Sequence, residues 1–228
     1  MKELVQKIFD CGITMCDSKR FDMFLRNFDV WSQVEGDIVE CGVWKGGMSI
    51  FLSKLFDKKT VWVCDSFNGF QPLPEAKYQY TKRIERHDPE IFSKNYPVEF
   101  RISLEEVRQN FEKFGLANDP RIKFLKGWVK DTLPSADIQK IAILRVDVDS
   151  YSATREVLDC LYDKVQPGGV IIFDDTELWE SMDAIRDFFY ERKIPIFLRN
   201  PETDLISYVE STGESYPLPA GSYFIKPI

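Results

Sequence analysis

Apolar residues in this chain fall into short continuous runs separated by longer stretches with helical periodicity. Five runs, 38–41, 60–65, 122–125, 141–146 and 170–173, are too short for buried helices and are bounded by turn residues. That pattern predicts strands buried on both faces. Between them, Met48, Ile50, Phe51 and Leu55 recur at helical spacing, as do Val157, Leu158 and Leu161 within about 152–165. A further helix is expected over 179–192, and residues 2–33 read as helical throughout, from Leu4, Val5, Ile8 and Phe9 to Phe21, Phe24, Leu25 and Phe28. Ser103, three residues before Glu106, predicts a capped helix start. Two short strands near 195–198 and 223–226 bring the expected sheet to seven. Strands alternating with helices imply an α/β fold with a mostly parallel sheet and helices on both faces.

The stretch 71–100 breaks this rhythm. It is polar and irregular, with Pro72, Pro74 and Pro97, and a segment of that length reads as a lid over a site. The remainder reads as one domain, 1–228, with an N-terminal helical segment over 1–35 whose Phe, Met and Trp residues suit either a homodimer contact or cover for the core.

Composition narrows the class. A net charge of −7 excludes a general nucleic-acid binder, and 44% apolar with 29% charged residues is ordinary for a soluble globular chain. No run approaches a membrane span, and the first dozen residues, MKELVQKIFDCG, put acids where a secretion signal needs an apolar core. The five cysteines form no CxxC pair, and Cys41 and Cys64 sit in strand runs as small hydrophobes, so a reducing cytoplasmic setting is expected. The sole histidine, His87, falls in the lid segment.

Ligands of open parallel sheets bind beyond the carboxyl ends of the strands. Glu40, Asp65, Asp147, Asp174 and Asp175 all lie at such ends. Glu40-x-Gly42-x-x-x-Gly46 links a strand to a helix, and Asp65 follows where an acid would accept from ribose hydroxyls. The bland alternative is that the glycines only shape a turn and Asp65 caps it. Asp147 and Asp149 end one strand, Asp174 and Asp175 the next, and neighbouring strands about 4.8 Å apart would let these acids share a hard cation such as Mg²⁺. Here the bland alternative is helix capping by Asp149 or Ser150 and by Asp175. Capping explains one acid per strand end, not two.

These residues carry a resemblance. Gly36-Asp37-Ile-Val-Glu40-Cys-Gly42-Val43-Trp44-Lys-Gly46-Gly47, Val63-Cys-Asp65-Ser66-Phe67-Asn-Gly69-Phe70, Ser103-Leu-Glu105-Glu-Val107, Lys126-Gly127-Trp128, Leu144-Arg-Val-Asp147-Val-Asp149-Ser-Tyr151 and Pro167-Gly168-Gly169 through Asp174-Asp175 stand in the order of the macrocin O-methyltransferase family, which the chain resembles across about 36–175. The resemblance implies a Rossmann-like class I methyltransferase whose last strand is antiparallel, using S-adenosylmethionine and Mg²⁺ to methylate a sugar hydroxyl of a small-molecule acceptor. It implies Glu40, Gly42, Val43 and Trp44 at the methionine end of the cofactor, Asp65 on the ribose, and Ser66, Ser103, Gly127 and Trp128 near the adenine. It further implies Asp147, Asp174 and Asp175 as metal ligands, Asp147 beside the cofactor as the base, and Asp149 as the alternative base or a substrate contact. The family pattern Asp-Gly-Asp-Leu-Tyr-Glu-Ser-Thr is replaced here by Asp147-Val-Asp-Ser-Tyr-Ser-Ala-Thr154, which leaves the acids in place and alters the wall beside them. A catechol or other vicinal diol as acceptor, a metal-independent enzyme, and a silent cofactor-binding protein are the competing readings. A nicotinamide oxidoreductase lacks support because its glycine fingerprint is absent.

Overall fold

Side chains alternate between the two faces of each strand, and this alternation builds two separate cores. In β1 (Asp37–Cys41), Ile38 joins the core on one face while Val39 and Cys41 join the core on the other. The chain is described by a computed structural model over residues 1–69, 100–210 and 218–227. Of the lid expected over 71–100, only Phe100 falls within these; His87 lies outside the described residues.

Strands β1, β2 (Val61–Asp65), β3 (Ile122–Lys126), β4 (Ile141–Val146) and β5 (Val165–Phe173) pair in parallel. Near the C-terminus, β8 (Ser222–Ile225) runs antiparallel to β5 and to β6 (Ile196–Arg199), and β6 pairs antiparallel with β7 (Ile206–Val209). The sheet order is β3-β2-β1-β4-β5-β8-β6-β7. The mostly parallel sheet with an antiparallel last strand is as expected, but eight strands are present, not seven. The added strand is β7, where Ile206, Ser207 and Tyr208 are exposed and only Val209 is buried. It offers neither an apolar run nor a clean alternation to read.

Helices α1 (Lys2–Asp10), α2 (Ser18–Trp31), α3 (Gly47–Leu55) and α4 (Leu104–Lys113) cover one face, with Phe21, Phe24, Trp31, Phe51 and Phe111 against Val61, Val63 and Ile143. The short α5 (Val129–Thr132), with α6 (Tyr151–Leu161) and α7 (Trp179–Glu191), covers the other, bringing Val157, Leu158 and Phe188 against Val39, Leu144 and Ile171. Each fully buried side chain of this kind contributes about 1.5–3 kcal/mol. The aromatic side chains of α2 therefore cover the core. The helical pattern expected over 2–33 is interrupted at 11–17, where Asp17 accepts from the N–H groups of Lys19 and Arg20 and starts α2 afresh. All five cysteines are free, and Cys41 and Cys64 are buried among apolar neighbours.

The strand order reverses direction between β1 and β4, so their carboxyl ends open a crevice. Every strand-end acid named above lies at or beside that crevice. Among the described residues no helix is long and apolar enough to cross a membrane.

Candidate active site

The crevice encloses a cleft of roughly 700 Å³ including its open mouth. Gly42, Trp44, Asp65, Ser66 and Trp128 line one part of it, and Asp147, Asp149 and Ser150 the other. Met15, from the 11–17 segment, forms a further wall.

The loop after β1 is held by Asp65. One carboxylate oxygen accepts from the Val43 N–H at 2.8 Å, the other from the Phe67 N–H at 2.8 Å. Burial raises the carboxyl of Asp65 above the usual range, against the lowering effect of these backbone donors and that of Trp44. Asp65 thus ties two loops together while facing the cleft. Gly42, at φ +83°, lets the loop run against the backbone of Asp147. Gly47 opens α3 with its N–H on the carbonyl of Ile13 at 3.0 Å, and a Cβ there would lie 2.4 Å from that oxygen. The N-terminal segment is in this way pinned to the glycine turn.

Across the cleft, ligand oxygens of Asp147, Asp149 and Asp175 lie within 4.8 Å of one another. Asp149 takes a left-handed φ of +54°, which aspartate tolerates better than most residues, and its N–H donates to Oδ2 of Asp175 at 3.0 Å. Burial lifts the Asp149 carboxyl to about 6, opposed by its hydrogen bond to Asp175. Asp147 and Asp175 are also driven upward, in both cases first by burial. Arg145 opposes the rise at Asp147, while the neighbouring aspartates add to it at Asp175. Three converging carboxylates offer the all-oxygen set that a hard divalent cation could occupy.

Helix capping does not account for these acids. Ser150 caps α6 through Ala153 N–H at 3.3 Å, and α7 starts at Leu178 without a side-chain cap.

Behind the cluster lies Arg145, 1% exposed. Its Nη1 is 2.6 Å from both Glu40 Oε1 and Asp147 Oδ2, and its Nη2 is 2.6 Å from Asp174 Oδ1 and donates to Cys16 Sγ at 3.1 Å. Arg20 of α2 approaches the same Asp174 oxygen at 3.1 Å. Burial pushes the Cys16 thiol up to about 12, so it sits beside the guanidinium as a neutral thiol.

Some expected site residues stand elsewhere. Glu40 is 1% exposed, its carboxylate held by Arg145 and the Ser49 hydroxyl, and it does not line the cleft. Asp174 faces the two arginines, and Asp149 takes its place among the converging oxygens. Ser103 caps α4 by accepting from the Glu106 N–H at 3.1 Å, as its spacing predicted. Gly127 continues the β2–β3 ladder by donating to the Asp65 carbonyl, which leaves Trp128 at the cleft. Arg145, Arg20, Met15 and Cys16 were not singled out from sequence. For Arg145 a signal existed: a charge inside an apolar strand run must have partners.

Residues 5–205 match the profile of a family described as macrocin-O-methyltransferase (TylF). The chain is similar to mycinamicin III 3''-O-methyltransferase of Micromonospora griseorubida, at 38% identity over 160 residues, 68% of this chain and 61% of that protein. It is also similar to 8-demethyl-8-(2,3-dimethoxy-alpha-L-rhamnosyl)-tetracenomycin-C 4'-O-methyltransferase of Streptomyces olivaceus, at 35% identity over 185 residues, 79% of this chain and 65% of that protein. In both cases the chain spans less than two thirds of the relative's length. Among solved structures, the O-methyltransferase NovP superposes with a TM-score of 0.77 at 32% identity, covering 95% of this chain and 83% of its own.

Proposed function

This chain belongs to the macrocin-O-methyltransferase (TylF) family, and from that premise we propose that it transfers the methyl group of S-adenosylmethionine to a hydroxyl of a sugar or sugar-containing natural product, with a divalent cation at the acid cluster. The observation that carries this reading is one cleft with Asp65 and the glycine loop on one side and three converging carboxylates on the other. The tetracenomycin relative, whose name carries a dimethoxy-rhamnosyl group and a 4'-O-methyl position, supports a sugar as acceptor.

The residues fit both groups. Asp65 would accept from ribose hydroxyls, Gly42 and Trp44 would flank the methionine end, and Ser66 and Trp128 would border the adenine. Asp147, Asp149 and Asp175 would hold the cation, Mg²⁺ by the hardness of an all-oxygen donor set. Bound there, a cation supplies a Lewis acid that orients the acceptor hydroxyl and lowers its pKa. The cofactor, when bound, supplies an electrophilic methyl group on a sulfonium. Everything else falls to the chain. Asp147 takes the hydroxyl proton as general base. Trp128, Phe100 and Met15 exclude water and fix the approach, so catalysis rests on positioning.

The test is a methyl-transfer assay with S-adenosylmethionine and a panel of vicinal-diol glycosides and catechols, read by mass spectrometry. A methylated glycoside that disappears with EDTA and returns with Mg²⁺ is the expected result. Turnover indifferent to EDTA would remove the cation from the proposal. Catechol turnover without glycoside turnover would move the acceptor to the competing vicinal-diol reading, and cofactor binding without any turnover would favour a silent binder.

A further inference from the structure

Arg145 and Glu40 are register partners on adjacent strands β4 and β1, and they project toward the same face of the sheet. Both are 1% exposed. Burying an ion pair there costs desolvation that an apolar pair would avoid, so the fold gains little stability from the exchange. What the pair supplies is direction. Glu40 does not reach the cleft, and its second oxygen is taken by Ser49, so its remaining partner is Arg145. From the other side Asp174 and Cys16 hold Nη2, with Arg20 behind Asp174. The guanidinium is fixed from the β1, β5 and N-terminal sides, and among these carboxylate partners only Asp147 lines the cleft.

We propose that Arg145 is a positioning residue, whose planar fork, braced by Glu40, fixes the Asp147 carboxylate at the cleft and thereby sets both the cation affinity and the rate of the methyl transfer proposed above. The inference rests on that reading of the site. It follows from geometry: one nitrogen, Nη1, lies 2.6 Å from Glu40 and 2.6 Å from Asp147, so displacement of Glu40 is passed directly to Asp147. A rigid guanidinium does this, whereas a lysine ammonium, a single point on a flexible stem, cannot serve Glu40, Asp147 and Asp174 together. Residues that orient metal ligands from behind typically change affinity or activity about 10–100-fold when altered.

The experiment uses the full chain and two variants. Arg145→Lys keeps the charge and loses the fork, while Glu40→Gln keeps the shape and loses the charge of the brace at a position off the cleft. Each is followed by thermal melting, by Mn²⁺ and S-adenosylmethionine calorimetry, and by kcat and KM for methyl transfer. Both variants are expected to bind Mn²⁺ about 10–100-fold more weakly and to lose kcat by a similar factor, with cofactor affinity nearly unchanged. If Arg145→Lys does not fold, Glu40→Gln decides alone. Wild-type turnover with variants unchanged in Mn²⁺ affinity and in kcat per folded molecule would overturn the role of Arg145 and leave the methyltransferase reading intact. A wild-type chain that neither binds Mn²⁺ nor transfers methyl would overturn both.

Discussion

Gly42 and Asp147 touch backbone to backbone: a Cβ at residue 42 would sit 1.6 Å from the carbonyl oxygen of Asp147. This contact joins the two halves of the cleft, since the loop after β1 and the end of β4 must pass without a side chain between them. Gly42→Ala is therefore expected to cost about 2–4 kcal/mol of stability and to weaken cofactor binding in whatever folds. Gly115→Ala is the control. Its φ is +70° but nothing lies within 4 Å of a Cβ there, so only backbone strain of about 1–2 kcal/mol is expected. Equal losses in the two variants, by chemical denaturation, would show that the Gly42 contact adds nothing.

The two adjacent aspartates after β5 should behave differently. Asp175 offers an oxygen to the converging set, so Asp175→Asn is expected to weaken Mg²⁺ binding by about 10-fold or more, a loss of about 1.4 kcal/mol or more. Asp174 faces Arg20 and Arg145, so Asp174→Asn is expected to destabilise the fold by about 3–5 kcal/mol, the cost of removing the carboxylate that faces buried Arg20 and one of the three that face Arg145. Calorimetric titration and thermal melting of both variants separate the two effects. A Mg²⁺ affinity lost in Asp174→Asn and retained in Asp175→Asn would reverse these roles.

Acidity should report on the same cluster. The Asp149 carboxyl is raised to about 6, and Asp147 and Asp175 shift in the same direction, whereas unfolded aspartates ionise near about 3.9. From about pH 4 to 6 the folded chain keeps protons that the unfolded chain has released, so the cluster's contribution to stability falls as pH rises through that window. A cation replaces those protons. Added Mg²⁺ is expected to raise Tm little at pH 5 and substantially at pH 7.5, with proton release on binding near pH 6. A Mg²⁺-induced shift of the same size at both pH values would speak against these carboxylates as its ligands.

Ser150→Ala probes the division of labour beside them. Ser150 caps α6, and losing the cap is expected to cost about 1 kcal/mol with no change in Mg²⁺ affinity. A fall in Mg²⁺ affinity as large as that of Asp175→Asn would mean that the cap and the acid cluster are not separable.

Much of this arrangement was legible in the chain. The acids at the ends of β1, β2, β4 and β5 could be placed because continuous apolar runs mark strands buried on both faces, and such a run ends where an acid begins. What sequence could not supply was which acid points where. Asp174 and Asp175 are adjacent and chemically identical, and what separates them is their partners: Arg145 and Arg20, the latter from a helix more than a hundred residues away, approach Asp174, while Asp175 accepts from Asp149. Arg20 itself reads as an ordinary polar position of an amphipathic helix. The break at 11–17 was hidden because apolar residues continue at helical spacing on both sides of it, and β7 was hidden because three of its four side chains are exposed.

The wall supplied by residues 11–17 bears on how the molecule is made. Cys16 meets Arg145 across 129 positions, and Glu40 meets it across 105. A chain emerging from the ribosome therefore owns no part of the acid cluster until β4 and β5 have been synthesised, and Cys16 waits for β4 before it meets Arg145. Contacts of such sequence separation form slowly. The cleft is consequently expected to be among the final features to mature, arriving with the docking of the N-terminal segment onto a sheet already assembled.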